Sequence, residues 1–231
     1  MRSLLPSLAL LVLGTALAAP AAAQLRPEGT ATLTIGVPQG DFADRLDALG
    51  YGANVTALVA LGRSPVRLGV DGGVLVYGHE RRREPLSPTI PDVRVDVTTS
   101  NTIGLAHLLF RLQPDLGALR PYADGLFGLK YLATNTSIPT GYGDGISHTN
   151  FDDVALSYGV GGGLTVPVYR PQGRSEVRGI EVQAGARYLF GTPAEYLREG
   201  DIVRDDGAVF FTPSRSRTDL LLTHLGVSLR F

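Results

Sequence analysis

Alternation with a period of two constrains this chain more than any other feature, and it is clearest at residues 218–231. Phe231, Leu229, Val227, Leu225, Thr223 and Leu221 fall on one side of an extended strand, and Arg230, Ser228, Gly226, His224, Leu222 and Leu220 on the other. The first set is apolar apart from Thr223 and ends in an aromatic ring. The second carries a charge, a hydroxyl, a glycine and an imidazole over its last four places. A strand divided in this way presents one face to an apolar medium and the other to a polar interior.

The same period recurs along the chain. Ala31, Leu33, Ile35 and Val37 alternate with Thr32, Thr34 and Gly36, and Ala53, Val55, Ala57, Val59 and Leu61 with Asn54, Thr56, Leu58 and Ala60. Val66, Leu68, Val70, Val74 and Val76 oppose Arg67, Gly69, Asp71, Gly73 and Tyr77. A fourth strand is expected at 93–112, too long for one crossing, with a bulge or change of face near 98–102. A fifth at 121–133 turns Ala123, Phe127, Leu129 and Tyr131 outward and Asp124, Gly128 and Lys130 inward. The sixth, 154–169, places Ser157, Gly159, Gly161, Gly163 and Thr165 inside. The seventh, 177–191, places Glu181, Gln183, Gly185 and Arg187 there. With 218–231 this makes eight strands, joined alternately by long and short connections. The long ones are expected as loops at 38–49, 79–92, 135–152 and 192–216, and residues 24–30 and 113–120 as a lead-in and a turn.

The expected fold is therefore all-β: an eight-stranded antiparallel up-and-down transmembrane β-barrel with both termini at its short-turn end. Closure leaves no strand edge for lipid to meet, which lipid could not hydrogen-bond. A soluble ligand-binding barrel of the lipocalin kind would invert the pattern. Charge speaks against it, because Arg67, Asp71, Asp124, Lys130, Glu181, Arg187 and Arg230 all belong to the set opposite the apolar one.

The N-terminus adds a compartment. Arg2, the apolar run 8–19 and Ala21-Ala22-Ala23 compose a cleavable export signal over residues 1–23. A mature barrel is then expected over 24–231. The apolar run is shorter than the roughly 20 residues a spanning helix needs. The sequence of 231 residues contains no cysteine, which excludes disulfide frameworks, thiolate metal sites, thiol nucleophiles and a lipidated cysteine anchor. With 21 basic and 22 acidic residues it has no charge surplus of the kind nucleic acid requires, so no nucleic-acid partner is expected.

Three motifs carry a resemblance: His224-x-Gly226-x-x-Leu229-x-Phe231, Pro121-Tyr122-x-x-Gly125-x-x-Gly128, and Val37-Pro38-Gln39-Gly40-Asp41-Phe42. With the strand pattern they resemble the small outer-membrane β-barrel families typified by OmpX and the transmembrane domain of OmpA. That resemblance implies a multi-pass protein of the Gram-negative outer membrane, in contact with outer-membrane lipids and lipopolysaccharide. It also implies that His224, Gly226, Leu229 and Phe231 form the signal read by the barrel-assembly machinery.

Function is less constrained. Arg67, Asp71, Asp124, Lys130, Glu181, Arg187, His224 and Arg230 would crowd a lumen barely wide enough for side chains, and are expected to form a charge network that closes it. The first reading is thus a structural or surface-interaction role, with an extracellular partner met through the long loops. The alternative is a narrow channel or conduit for small or hydrophobic solutes. A lipid-modifying outer-membrane enzyme is third, since none of His79, His107, His148 and His224 stands in a His-x-Ser pattern. No cofactor is expected. Asp144, Asp152 and Asp153 have no calcium-loop spacing, so no metal is expected either. Arg81, Arg82 and Arg83 could pair with lipopolysaccharide phosphates. Tyr131, Tyr188, Phe190 and Phe231 are placed for interfacial girdles.

Overall fold

In the computed structural model the described residues are 25–46, 48–62, 64–87, 90–138, 146–171, 176–197, 202–205 and 208–231; the side chains of 25, 79–99, 136–150 and 202–211 are not described. The export signal at 1–23 lies outside the described residues. The barrel strands are β1 (Leu25–Pro38), β2 (Gly50–Leu61), β3 (Val66–Ser87), β4 (Ile90–Leu112), β5 (Arg120–Ile138), β6 (Ile146–Tyr169) and β7 (Gly179–Gly191). Four short strands follow, β8 (Pro193–Tyr196), β9 (Ile202–Asp205), β10 (Ala208–Phe211) and β11 (Ser214–Arg217), before β12 (Leu220–Arg230) completes the wall.

Each barrel strand pairs with its sequence neighbour, and β12 pairs with both β7 and β1, so the sheet closes. The seam is antiparallel, with Ala31 opposite Val227, Leu33 opposite Leu225 and Thr34 opposite His224. Side chains follow the pleat. Leu33, Val55, Leu108, Val160 and Leu225, from five different strands, are each at least 60% exposed. Between them Thr34, Asn54, His107, Ser157 and His224 are buried. Apolar outside and polar inside is the inverse of a water-soluble barrel, and an unbroken belt of such residues far exceeds the patch a soluble monomer tolerates.

The connections differ from the expected loops. Strands β3 and β4 stay paired beyond the barrel, from Gly78 opposite Asn101 to Ser87 opposite Ile90, so 79–92 is a projecting hairpin and not a loop. Period two is lost there because both faces of a hairpin in water can be polar. Proline is tolerated because an edge position needs no N–H donor. Strands β5 and β6 likewise pair as far as Ile138 and Ile146. Residues 192–216, expected as a loop, hold two small antiparallel ladders, β8 with β11 and β9 with β10. Runs of four residues are too short for periodicity to reveal.

The bulge expected near 98–102 sits across from that stretch. Val76 pairs with Thr102 and Gly78 with Asn101, so Tyr77 of β3 is the extra residue. Two further corrections matter for the interior. Residues 24–30 are no mere lead-in: β1 begins at Leu25 and buries Glu28. Arg120, assigned to a turn, opens β5 and is buried.

Candidate functional site: a filled lumen

Three layers fill the barrel. At mid-height, β4, β5, β7 and β3 bring Arg111, Asp124, Arg187 and Asp71 together. Arg111 donates through Nε to Asp124 Oδ1 at 2.7 Å and through Nη2 to Oδ2 at 2.9 Å, a two-pronged contact, and through Nη1 to Gln183 Oε1 at 2.9 Å. Arg187 bridges the carboxylates. Its Nη1 reaches Asp71 Oδ1 at 2.8 Å, and its Nε and Nη2 reach Asp124 Oδ2 at 3.2 and 3.1 Å. Asp71 also accepts from Thr56 at 2.6 Å and Asn54 at 3.0 Å. Two guanidinium groups face two carboxylates, so the layer is neutral and nearly every lone pair is used, the condition under which buried charge is tolerated.

Neighbouring aromatic and imidazole groups complete this layer. Arg111 lies 4.0 Å from the centre of the Tyr122 ring, a cation–π contact. The Tyr122 hydroxyl meets His224 Nε2 at 2.8 Å. Backbone room comes from glycine: a Cβ on Gly161 would stand 2.5 Å from Arg187 Cγ, and one on Gly163 2.5 Å from the Tyr122 hydroxyl. The inner wall of β6 is bare because the side chains opposite need the space.

Toward the short-turn end, Glu28 accepts from Arg67 and, at 3.1 Å, from Ser228. Glu181 accepts from Arg120 and, at 3.0 Å, from Arg230. Toward the other end the lumen turns apolar. Leu75, Ile103, Leu132, Leu189 and Leu222 are fully buried around Lys130, whose ammonium donates to the carbonyls of Leu189 and Thr218. Over them sits Phe42, carried inward by the short 3-10 turn Gly40–Phe42 and packed edge-on against Tyr196 at 5.1 Å and Tyr77 at 6.3 Å.

The eight residues proposed from the sequence as a charge network thus occupy three different settings. Asp71, Asp124 and Arg187 meet directly, with His224 joined to them through Tyr122. Arg67, Glu181 and Arg230 lie in the lower layer, and Lys130 stands apart among leucines. Glu28, Arg111 and Arg120 were missed. Arg111 was legible: it lies two residues from Leu109 on an inward phase that the uncertain face of β4 obscured. In the aromatic lid Tyr77 belongs to the inward set of β3, whereas Phe42 and Tyr196 come from separate connections and had no local signal.

Ser157 and His107 touch, Oγ to Nε2, at 2.9 Å. A hydroxyl beside an imidazole is the start of a nucleophile, but this one lies inside the lumen and Ser157 has no exposed surface. Asp153 is occupied as a cap, accepting from the Val154 and Glu195 amides at 2.7 Å each, while Asp152 is exposed. Asp144 and the side chains of His79, Arg81, Arg82, Arg83 and His148 lie outside the description. On the outer wall Tyr158 stacks on Phe190 at 5.3 Å, and Tyr188 packs against the same ring at 4.8 Å.

No protein-family model matches the sequence, and no curated protein matches it. Among solved structures it is similar to Neisserial surface protein A, at 13% identity over 90% of this chain and 96% of that one, with a TM-score of 0.38. A major outer membrane protein from Thermus thermophilus is similar at 12% identity over 88% and 99%, TM-score 0.43. The N-terminal β-barrel domain of Pseudomonas aeruginosa OprF is similar at 13% identity over 88% and 97%, TM-score 0.34. These likenesses concern architecture alone, and the closed eight-stranded ladder of this chain stands on its own pairing.

Proposed function

We propose that this protein is an integral barrel of the Gram-negative outer membrane whose lumen is closed and whose task is carried by the structures it holds outside. The observation that carries this reading is the mid-height layer, where Arg187 bridges Asp71 and Asp124 and Arg111, with no exposed surface, pairs with Asp124. An eight-stranded barrel has room for side chains or for a pore, not both. The apolar exterior calls for lipid, and the export signal and the terminal signal at His224, Gly226, Leu229 and Phe231 supply a route to the outer membrane.

What remains accessible is the hairpin end. Strands of 22 and 23 residues in β3 and β4 greatly exceed the roughly 9–11 that a tilted crossing needs, so about half of each stands beyond the bilayer. That hairpin contains Arg81, Arg82 and Arg83, suited to lipopolysaccharide phosphates or to an acidic partner surface. Replacing 79–99 by a two-residue turn should leave a folded barrel that no longer binds lipopolysaccharide in pull-down. Undiminished binding would remove the hairpin from the account.

A further inference from the structure

At the short-turn end the barrel opens into a cup of about 180 Å3. Its wall contains six arginines, Arg26, Arg67, Arg120, Arg170, Arg178 and Arg230, and two acidic side chains, Glu28 and Glu181. This concentration is local, because the whole chain carries a net charge of −1. Six positive charges against two negative leave +4 on the wall. Asp115, 2.8 Å from Arg120 Nε, lowers it to +3. The layer beneath offers no compensation, since Arg111 and Arg187 are matched there by Asp71 and Asp124.

Buried guanidinium groups normally sit beside as many carboxylates. Here Arg120 and Arg230 share one oxygen of Glu181. Each guanidinium has five N–H donors in a rigid fork, and Arg120 directs Nε toward Asp115 Oδ1 at 2.8 Å and Nη1 toward Glu181. Arg67 and Arg120 are more than nine-tenths buried, so their stems are held, while Arg26, Arg170 and Arg178 are exposed at the rim. A held base with an exposed rim of the same charge is suited to an anion.

We propose that this cup binds a phosphate group. A surplus of several positive charges matches a phosphate dianion better than a single carboxylate, and guanidinium forks match its oxygens in pairs. The group could arrive as free phosphate or as the headgroup of an anionic phospholipid lying against Arg26 and Arg178. The proposal stands on the geometry of the cup; only its placement on the periplasmic side rests on the function proposed above.

The test uses the mature barrel in maltoside detergent, which contains no phosphate, so its outcome is independent of the hairpins and of lumen conductance. Isothermal titration with inorganic phosphate at low salt examines the soluble source. Native mass spectrometry of phosphatidylglycerol against phosphatidylcholine examines the headgroup. Folded state is checked by heat-dependent gel mobility in Arg26→Gln/Arg178→Gln, in Arg230→Gln, and in Arg45→Gln at the opposite mouth. We expect one saturable site for at least one ligand, weakened tenfold or more by the double substitution and unaffected by Arg45→Gln. Absence of both kinds of binding, or binding unchanged in both cup variants, would overturn the proposal.

Discussion

Arg187 contacts two carboxylates contributed by two other strands, and no single strand pattern announces such a residue. Period two placed it inside, but its partners follow from register, which only the closed ladder defines. Removing it should be costly for a specific reason: Asp71 and Asp124 would keep their burial and lose their common cation. Arg187→Leu is therefore expected to destabilise the barrel by about 3–5 kcal/mol, measured by urea unfolding in lipid bilayers. Adding Asp71→Asn should return part of that loss, because Asp71 is the carboxylate left orphaned while Asp124 keeps its two-pronged contact with Arg111. A wild-type midpoint for Arg187→Leu would mean that the pairs at 2.8–3.2 Å contribute nothing. Glu28, Arg111 and Arg120 illustrate the limit of sequence at this scale. Each is an inward charge near a strand end or on an ambiguous phase, where polarity alone reads as turn.

Strands were the most legible level. Faces were readable from 31–37, 51–61, 66–77, 154–169 and 218–231 because each strand is solvated by two different media, and the burial of Thr34, Asn54, Asp71, Ser157 and His224 follows those faces. Connections were not readable, since a hairpin standing in water has no obligatory alternation and its ladder extends unseen. The face assignment can be tested on β12 directly. Leu225 is 60% exposed on the outer wall, whereas Ser228 is buried against Thr30 and Glu28. Leu225→Arg should cost about 2–4 kcal/mol near the bilayer midplane, falling toward the interfaces, as read by folding equilibria into phosphatidylcholine vesicles. A cost below that of Ser228→Ala would reverse the assignment of inside and outside.

Taken as a whole, the molecule has no single plug. A neutral ion layer at mid-height, a leucine-lined upper lumen with a buried ammonium, and an aromatic lid each obstruct the same axis. Composition gave the contents of the lumen, but the separation into layers arises from stagger around the closed wall, which no linear pattern records. If these three unlike layers close the lumen as proposed, one substitution should not open the barrel; Phe42→Ala, for example, leaves the ion layer intact. The most direct measurement is single-channel recording in planar bilayers at 1 M potassium chloride. The proposed closed lumen predicts a flat baseline with the protein inserted, for the wild type and for Phe42→Ala alike. Uniform conductance steps that scale with the amount of inserted wild-type barrel would contradict it.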